Sequence, residues 1–191
     1  MIYKALSFLT NELNDYFNTV YQPLEPKAVL SAHVNADGSA ATDLLNKVSL
    51  TLINLEPEAT MRNLPAERGS SSSELRLNPP LRLSLRVLVA ANFSEYQDAL
   101  RFLSSTLAFF QGHSVFTPQN APRLDKDIER LVVELETTSY QEWSYLWGML
   151  GTKYMPGAVY KLKLISIQDG VGQPSARPIL IPGLTTTSTR P

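Results

Sequence analysis

The sequence predicts an α+β domain: a mixed, mainly antiparallel sheet with helices packed on one side. Three observations predict it. Apolar residues recur at helical spacing in three segments and at every second position in five others. The order is helix, strands, helix, strand, helix, strand, without the regular βα alternation of a parallel sheet. The strands alternate apolar and polar residues, as strands with one buried and one wet face do.

The first helix is predicted over residues 2–17, where Ile2, Leu6, Leu9, Leu13 and Phe17 lie three and four apart. Pro23 and Pro26 end it. Lys27 to Val34 reads as a half-buried strand, with Ala28, Leu30, Ala32 and Val34 inward and Lys27, Ser31 and His33 outward. Val48, Leu50 and Leu52 open a second strand. Its phase shifts at Ile53 and Leu55, which places a bulge or the strand end near Asn54. Residues 56–73 follow as a long irregular stretch with four consecutive serines. A domain boundary there is rejected, because the 55 residues before it would make a poor core of their own.

Residues 81–89 are the clearest strand, with Leu81, Leu83, Leu85, Val87 and Val89 on one face. Ser94-Glu95-Tyr96-Gln97 reads as a capping box opening a helix. Its predicted stripe is Tyr96, Leu100, Leu103, Leu107 and Phe110, with Gly112 as the C-terminal cap. Leu131, Val133 and Leu135 alternate with Val132, Glu134 and Glu136 in the next strand. Ser139-Tyr140-Gln141-Glu142 is a second capping box; its short helix carries Trp143, Leu146, Trp147 and Leu150, and Gly151 closes it. Tyr160, Leu162 and Leu164 mark the last strand. Residues 1–168 are read as one domain and 169–191 as a C-terminal extension, partly extended or mobile.

Composition narrows function. The chain has 191 residues, 43% of them apolar and 18% charged, with a formal charge of −1. That balance disfavours a strongly charged nucleic-acid or membrane-surface binder. Cys is absent, which excludes disulfides, thiolate metal sites and Cys nucleophiles, and two His cannot make a three-His metal site. No apolar run reaches the roughly 20 residues of a membrane span, and the N-terminus lacks the pattern of a signal peptide. Synthesis and assembly in the cytoplasm are expected.

Motifs with chemistry are scarce. Gly170-Val171-Gly172 begins like a dinucleotide fingerprint, but Pro174 and Pro178 forbid the helix it must open, so it reads as a turn. Gly148 to Lys153 has fragments of a phosphate loop without its spacing. No nucleophile elbow or zinc-protease helix motif occurs. His33 reads as a surface histidine and His113 as one stabilised at a helix end. Glu134 and Glu136 read as solvated strand charges, and Trp143 with Trp147 as core. Between residues 60 and 90, Arg62, Arg68, Arg76, Arg82 and Arg86 face only Glu67 and Glu74, a surplus suited to an interface. No catalytic, cofactor or metal residue is expected.

Four segments together carry a family resemblance: Met1 to Leu6; NKVSLTLINLEPEATMRN, 46–63; Asn78 to Pro118, with Asn78-Pro79-Pro80 and Phe109-Phe110-Gln111; and Leu131 to Ile167, with Trp147 to Pro156. In order, they resemble the N-terminal domain of the cap, or tail-terminator, proteins of phage-tail-like contractile injection systems. The resemblance implies a tail-terminator-like fold and a structural, non-enzymatic role without cofactors. It implies a homohexameric ring on the distal end of the inner tube, which ends polymerisation and stabilises the extended sheath. The implied partners are the tube and sheath proteins of the same particle, with no nucleic acid and no direct membrane insertion. Arg62 and Arg68, in the long loop, and Ile179, Leu180 and Ile181, between prolines, are the interface residues expected from the sequence. Two alternatives are weighed beside this reading: a phosphate- or nucleotide-handling enzyme with a non-motif pocket, and a soluble adaptor.

Overall fold

A computed structural model of the chain describes residues 1–35, 37–39, 41–57, 75–76, 82–166 and 173–174. Helix α1, Ile2–Tyr21, buries Leu6, Leu9, Leu13 and Phe17 of the predicted stripe, together with Ala5 and Phe8, while Ile2 is partly buried against the core. It runs four residues past its predicted end and stops at Gln22, whose left-handed φ of 47° turns the chain toward Pro23. Strand β1, Ala28–Leu30, is shorter than predicted and lies parallel to β2, Lys47–Pro57. A 3-10 turn, Thr42–Leu44, precedes β2. The register of β2 shifts between Leu52 and Asn54, where the sequence phase shifts.

Next come β3, Leu75–Arg76; β4, Arg82–Asn92; α2, Tyr96–Gly112; β5, Val115–Phe116; β6, Ile128–Glu136; α3, Tyr140–Leu150; β7, Gly157–Ser166; and β8, Gln173–Pro174. One six-stranded sheet has the order β1-β2-β4-β7-β6-β5, and β3 pairs with β8 separately. The pairings from β2 through β5 are antiparallel, so the sheet is mixed and mainly antiparallel, as predicted.

The main core lies between this sheet and the pair α1 and α2. Leu83, Leu85, Val87, Val89 and Ala91 of β4 face it, with Val48 and Leu50 of β2, Leu131 and Val133 of β6, and Tyr160, Leu162 and Leu164 of β7. Aromatic contacts close the layer: Phe17 meets Phe102 edge-on at 5.0 Å between centroids, and Phe93 stacks on Phe102 at 4.7 Å. Each fully buried Leu here contributes roughly 1.5–3 kcal/mol of hydrophobic stabilisation.

The third helix departs from the one-sided expectation. Leu146 and Trp147 of α3 pack on Leu88, Ala90 and Val159, the residues of β4 and β7 that alternate with the main-core set. Helices therefore cover both faces of the sheet. Strand β4 is apolar on both faces over Val87–Ala91 because its α3 side is covered there. Beyond α3 the same face turns polar, with Arg86 in register with Lys161, and Lys161 with Glu134.

Three further expectations are corrected. Ser94 does not cap α2: its N–H donates to Asn46 Oδ1 at 3.0 Å, and the helix begins at Tyr96 with Glu95 as its N-cap. Of the predicted α2 stripe, Phe110 is buried and Leu103 and Leu107 pack against the core, but Tyr96 and Leu100 are exposed; Ala99, Thr106 and Phe109 complete the buried face. Gly112 is the last helical residue rather than a left-handed cap; His113 follows it, and its Nδ1 lies 3.1 Å from the Phe109 carbonyl.

Candidate assembly interface

The site is built around α3, whose ends the sequence marks clearly. Ser139 Oγ accepts from the Glu142 N–H, and the Glu142 carboxylate accepts from the Ser139 N–H at 2.8 Å. The Ser139 N–H and hydroxyl, each donating to that carboxylate at 2.8 Å, hold the Glu142 carboxyl below its ordinary range. Gly151 closes the helix at φ 64°. Trp143 and Trp147, four residues apart, meet edge-on at 5.9 Å between centroids, and Tyr154 packs on Trp147.

Trp147 is 6% exposed, and beneath it lies His33, only 3% exposed. The histidine read as a surface residue is thus part of the floor under α3, its ring edge-on to Trp147 at 5.8 Å. Ser49 Oγ, 3.2 Å from His33 Nε2, also lies within donating distance of the Ala90 carbonyl. Ser49 Oγ thus bridges His33 Nε2 and the Ala90 carbonyl. Burial lowers the His33 pKa from the ordinary 6.5.

Fixed this way from below, α3 presents aromatic and apolar side chains outward. Tyr140 is 96% exposed, and Tyr145, Met149 and Tyr154 stand well out of the surface. A cleft of about 760 Å³ opens between the helix and β6, lined by Leu135, Tyr140, Trp143, Trp147 and Tyr154 with Glu136 at its rim. A second groove of about 500 Å³ runs along the other flank, past Ile53, Arg86, Tyr145 and Met149. Exposed Tyr and Met clustered at grooves beside the half-buried Trp143 have the composition of the centre of a protein–protein interface.

Two sets of charges beside α3 are paired within the fold. Arg86 Nε donates to both Glu136 oxygens at 3.1 Å, and its Nη1 donates to Glu56 Oε1 at 3.1 Å, tying β2 and β6 to β4. Lys163 donates to Glu134 at 2.7 Å. Glu134 and Glu136 are therefore ion-pair partners, and the Arg86 positive charge is compensated within the fold. No cluster of three or more metal-ligating side chains occurs among the described residues, and none of their helices is long and apolar enough to cross a membrane.

The five interface residues expected from the sequence, Arg62, Arg68, Ile179, Leu180 and Ile181, lie outside the described residues, as does the Gly170–Gly172 turn. The sequence reading missed Leu135, Tyr140, Tyr145, Met149 and Tyr154. A signal was present: α3 reads YQEWSYLWGML, too apolar for a single buried stripe. Tyr145 and Met149 form a second i,i+4 pair beside Trp143 and Trp147.

Comparisons with known proteins fit this architecture. The fold resembles a cryo-electron microscopy structure described as the PVC sheath/tube terminator of an extracellular contractile injection system, in the extended state. The TM-score is 0.54 and the identity 14%, over 95% of this chain and 63% of that one. It also resembles the tube-terminating cap of the anti-feeding prophage, with a TM-score of 0.51 and 12% identity, over 93% of this chain and 59% of that one. The chain thus spans about three-fifths of the length of each. No curated protein matches in sequence. The family model for the Pvc16 N-terminal domain matches residues 5–181, and the chain belongs to that family.

Proposed function

We propose that this protein is a structural cap of a contractile injection system. In this reading, copies form a ring on the distal end of the inner tube, end its growth, and hold the last sheath ring extended. The observation that carries it is the family match over residues 5–181, supported by a fold shared with two terminators of such particles. The physical logic is simple. A tube end stays active while it displays unpaired edges and apolar surface. A protein that covers that end without offering the next propagating surface stops growth. In a ring, many modest contacts act together, so each subunit can bind weakly.

The apolar side chains around α3 supply a surface for such contacts, and catalysis has no part in the role. Arg62, Arg68 and Ile179–Ile181 are further candidate contacts. Reversing both arginine charges is expected to impair attachment to the tube end, and removing 177–191 to do the same.

Electron microscopy of particles from producing cells lacking this gene tests the reading. Tubes of uncontrolled length or sheaths that are missing or contracted, restored by returning the gene, are the expected result. Capped particles of normal length would overturn it.

A further inference from the structure

Among the described residues, the two buried side-chain polar atoms without a hydrogen-bond partner belong to one joint. They are His33 Nδ1 and Trp147 Nε1, carried by rings in edge-on contact at 5.8 Å between centroids. An indole N–H only donates, so Trp147 has nothing to offer a second donor. The side-chain bond of His33 runs through Nε2 to Ser49 Oγ. A doubly protonated ring carries an N–H at Nδ1 as well, buried here with no described group to accept from it. The joint is therefore built for an uncharged ring by its geometry.

The same joint decides how α3 is held. Leu146 and Trp147 are its buried residues, against seven in α1 and four in α2. Elements with so few buried contacts are the first to open. One of the two anchors, Trp147, rests on the histidine. The capping bonds of α3 are made by Ser139, Glu142 and Gly151 at its own ends, so the helix keeps them when it moves. No charged side chain attends the ring. On β4, Arg86 is held by Glu56 and Glu136; on α3, Glu142 is held by Ser139; in the loop after His33, Asp37 bonds to Ser39. Tyr154 packs on the indole. Neither Lys47 on β2 nor Lys153 beyond α3 shifts the ring, and burial is the single cause that lowers its affinity for a proton.

We propose that the His33–Trp147 contact is an acid-released latch: when His33 takes up a proton, α3 leaves the sheet while the main core stays closed. Tyr140, Tyr145 and Met149 leave with the helix, and the surface offered for assembly is lost. The latch rests on the reading of that surface as the assembly interface and supplies its regulation. With α3 away, the ring is in water and regains its ordinary pKa of 6.5. Below that pH the open form binds the proton that the seated form refuses, and its population rises by up to about tenfold per pH unit. By the same linkage, a partner seated on α3 holds the latch shut and keeps the proton off.

The test uses the full chain, whose two histidines and two tryptophans give few signals to assign by NMR. In a titration from pH 7.5 to 5, with His113→Gln identifying the His33 ring, the Trp147 indole signal is expected to move at the midpoint of His33 and below pH 6.5. Hydrogen exchange, corrected for intrinsic rates, is expected to show protection of residues 140–150 falling about five- to tenfold from pH 7 to 5.5, while α1 and β4 keep theirs. His33→Gln is expected to abolish both responses. An indole signal that ignores the His33 titration, protection lost equally in α3 and β4, or an unchanged response in His33→Gln overturns the proposal. The first two outcomes are read on the natural ring and decide the matter even if the variant fails to fold.

A second arm reads the consequence for assembly. On isolated particles, wild-type caps are expected to detach at pH 5.5 and to stay at pH 7.5, and caps carrying His33→Gln to stay at both. Equal retention of the two at pH 5.5 overturns the regulation of assembly. The titration and exchange are measured on purified chain and are independent of particle microscopy: a failed latch leaves the cap reading standing, and a failed cap reading leaves the movement of α3 to be read on its own.

Discussion

Asn14 holds Ala28 from both sides of its peptide unit. The Asn14 amide nitrogen donates to the Ala28 carbonyl at 2.9 Å, and the Ala28 N–H donates to Asn14 Oδ1 at 2.8 Å. Ala28 opens β1, the edge strand whose inner side pairs with β2. Its outward backbone groups would otherwise form an open edge, a template for unwanted pairing. A helix side chain satisfies them and docks α1 to the sheet. Asn14→Leu is expected to cost about 1–3 kcal/mol, the penalty for leaving two partly buried backbone groups unpaired. Chemical denaturation measures the loss, and hydrogen exchange should place it at β1.

Gly157 sits where β7 comes closest to β4. A Cβ there would lie 2.6 Å from the Val89 carbonyl oxygen and 3.3 Å from Ala90 Cα, both backbone atoms within the central pairing. Neither can move without opening the sheet beneath α3. Gly157→Ala is expected to destabilise by about 1–3 kcal/mol, as overpacking does. Gly148 gives the contrasting control, since it lies inside α3 with nothing within 4 Å of a built Cβ. Gly148→Ala is expected to stabilise by about 0.5–1 kcal/mol through helix propensity. Paired thermal-unfolding curves decide both.

Where a local device acts alone, the sequence could be read directly. Ser139 and Glu142 form their box, Gly151 takes its left-handed φ, and the β2 register breaks beside Asn54. The misreadings arise where tertiary contacts choose between equal local options. Ser94 is a good cap by type, but Asn46, itself held at a left-handed φ of 58°, already accepts from its N–H. Around α2, apolar residues lie on several faces, so two overlapping stripes fit the helical period. Packing on Phe17 and Phe93 selects the one through Ala99, Phe102 and Thr106. His33 follows the polar phase of its strand, and nothing local says that α3 will cover that phase. The exposed apolar residues around α3 share this difficulty, since the outward side of a helix depends on which side is buried.

The surface ion pairs of α1 give a prediction of a small effect. Arg123 donates to Glu12 at 2.6 Å and to Asp15 at 2.5 Å, linking the β5–β6 connection to the helix. All three side chains are at least partly solvated. Arg123→Ala is expected to change stability by less than about 1 kcal/mol, the range of exposed pairs. Unfolding at low and high salt should show the wild type approaching the variant as screening rises.

His33 supplies the clearest dependence on pH. Its neutral form suits the fold: the buried ring hydrogen-bonds to Ser49 Oγ through Nε2 at 3.2 Å and lies edge-on to Trp147. Burial lowers its pKa from the ordinary 6.5. When the chain unfolds, the ring returns to water and its ordinary affinity for a proton. Below pH 6.5, therefore, the unfolded chain binds the proton that the folded chain refuses. Stability is complete above the ordinary value and falls as the pH drops toward the lowered one, the sign expected when the unfolded state binds more protons. Surface carboxylates such as Asp37 and the half-buried Asp125, whose pKa values hydrogen bonds lower from 3.8, add their losses only in stronger acid. The His33 loss thus comes first on acidification, and it should begin beneath α3. His33→Gln, which keeps an amide donor near Ser49 but does not titrate, is expected to flatten the slope of stability between pH 7.5 and 5. Tryptophan fluorescence during denaturation at several pH values reads this directly, because Trp147 lies against the ring. An unchanged slope in the variant would show that the proton is taken up elsewhere.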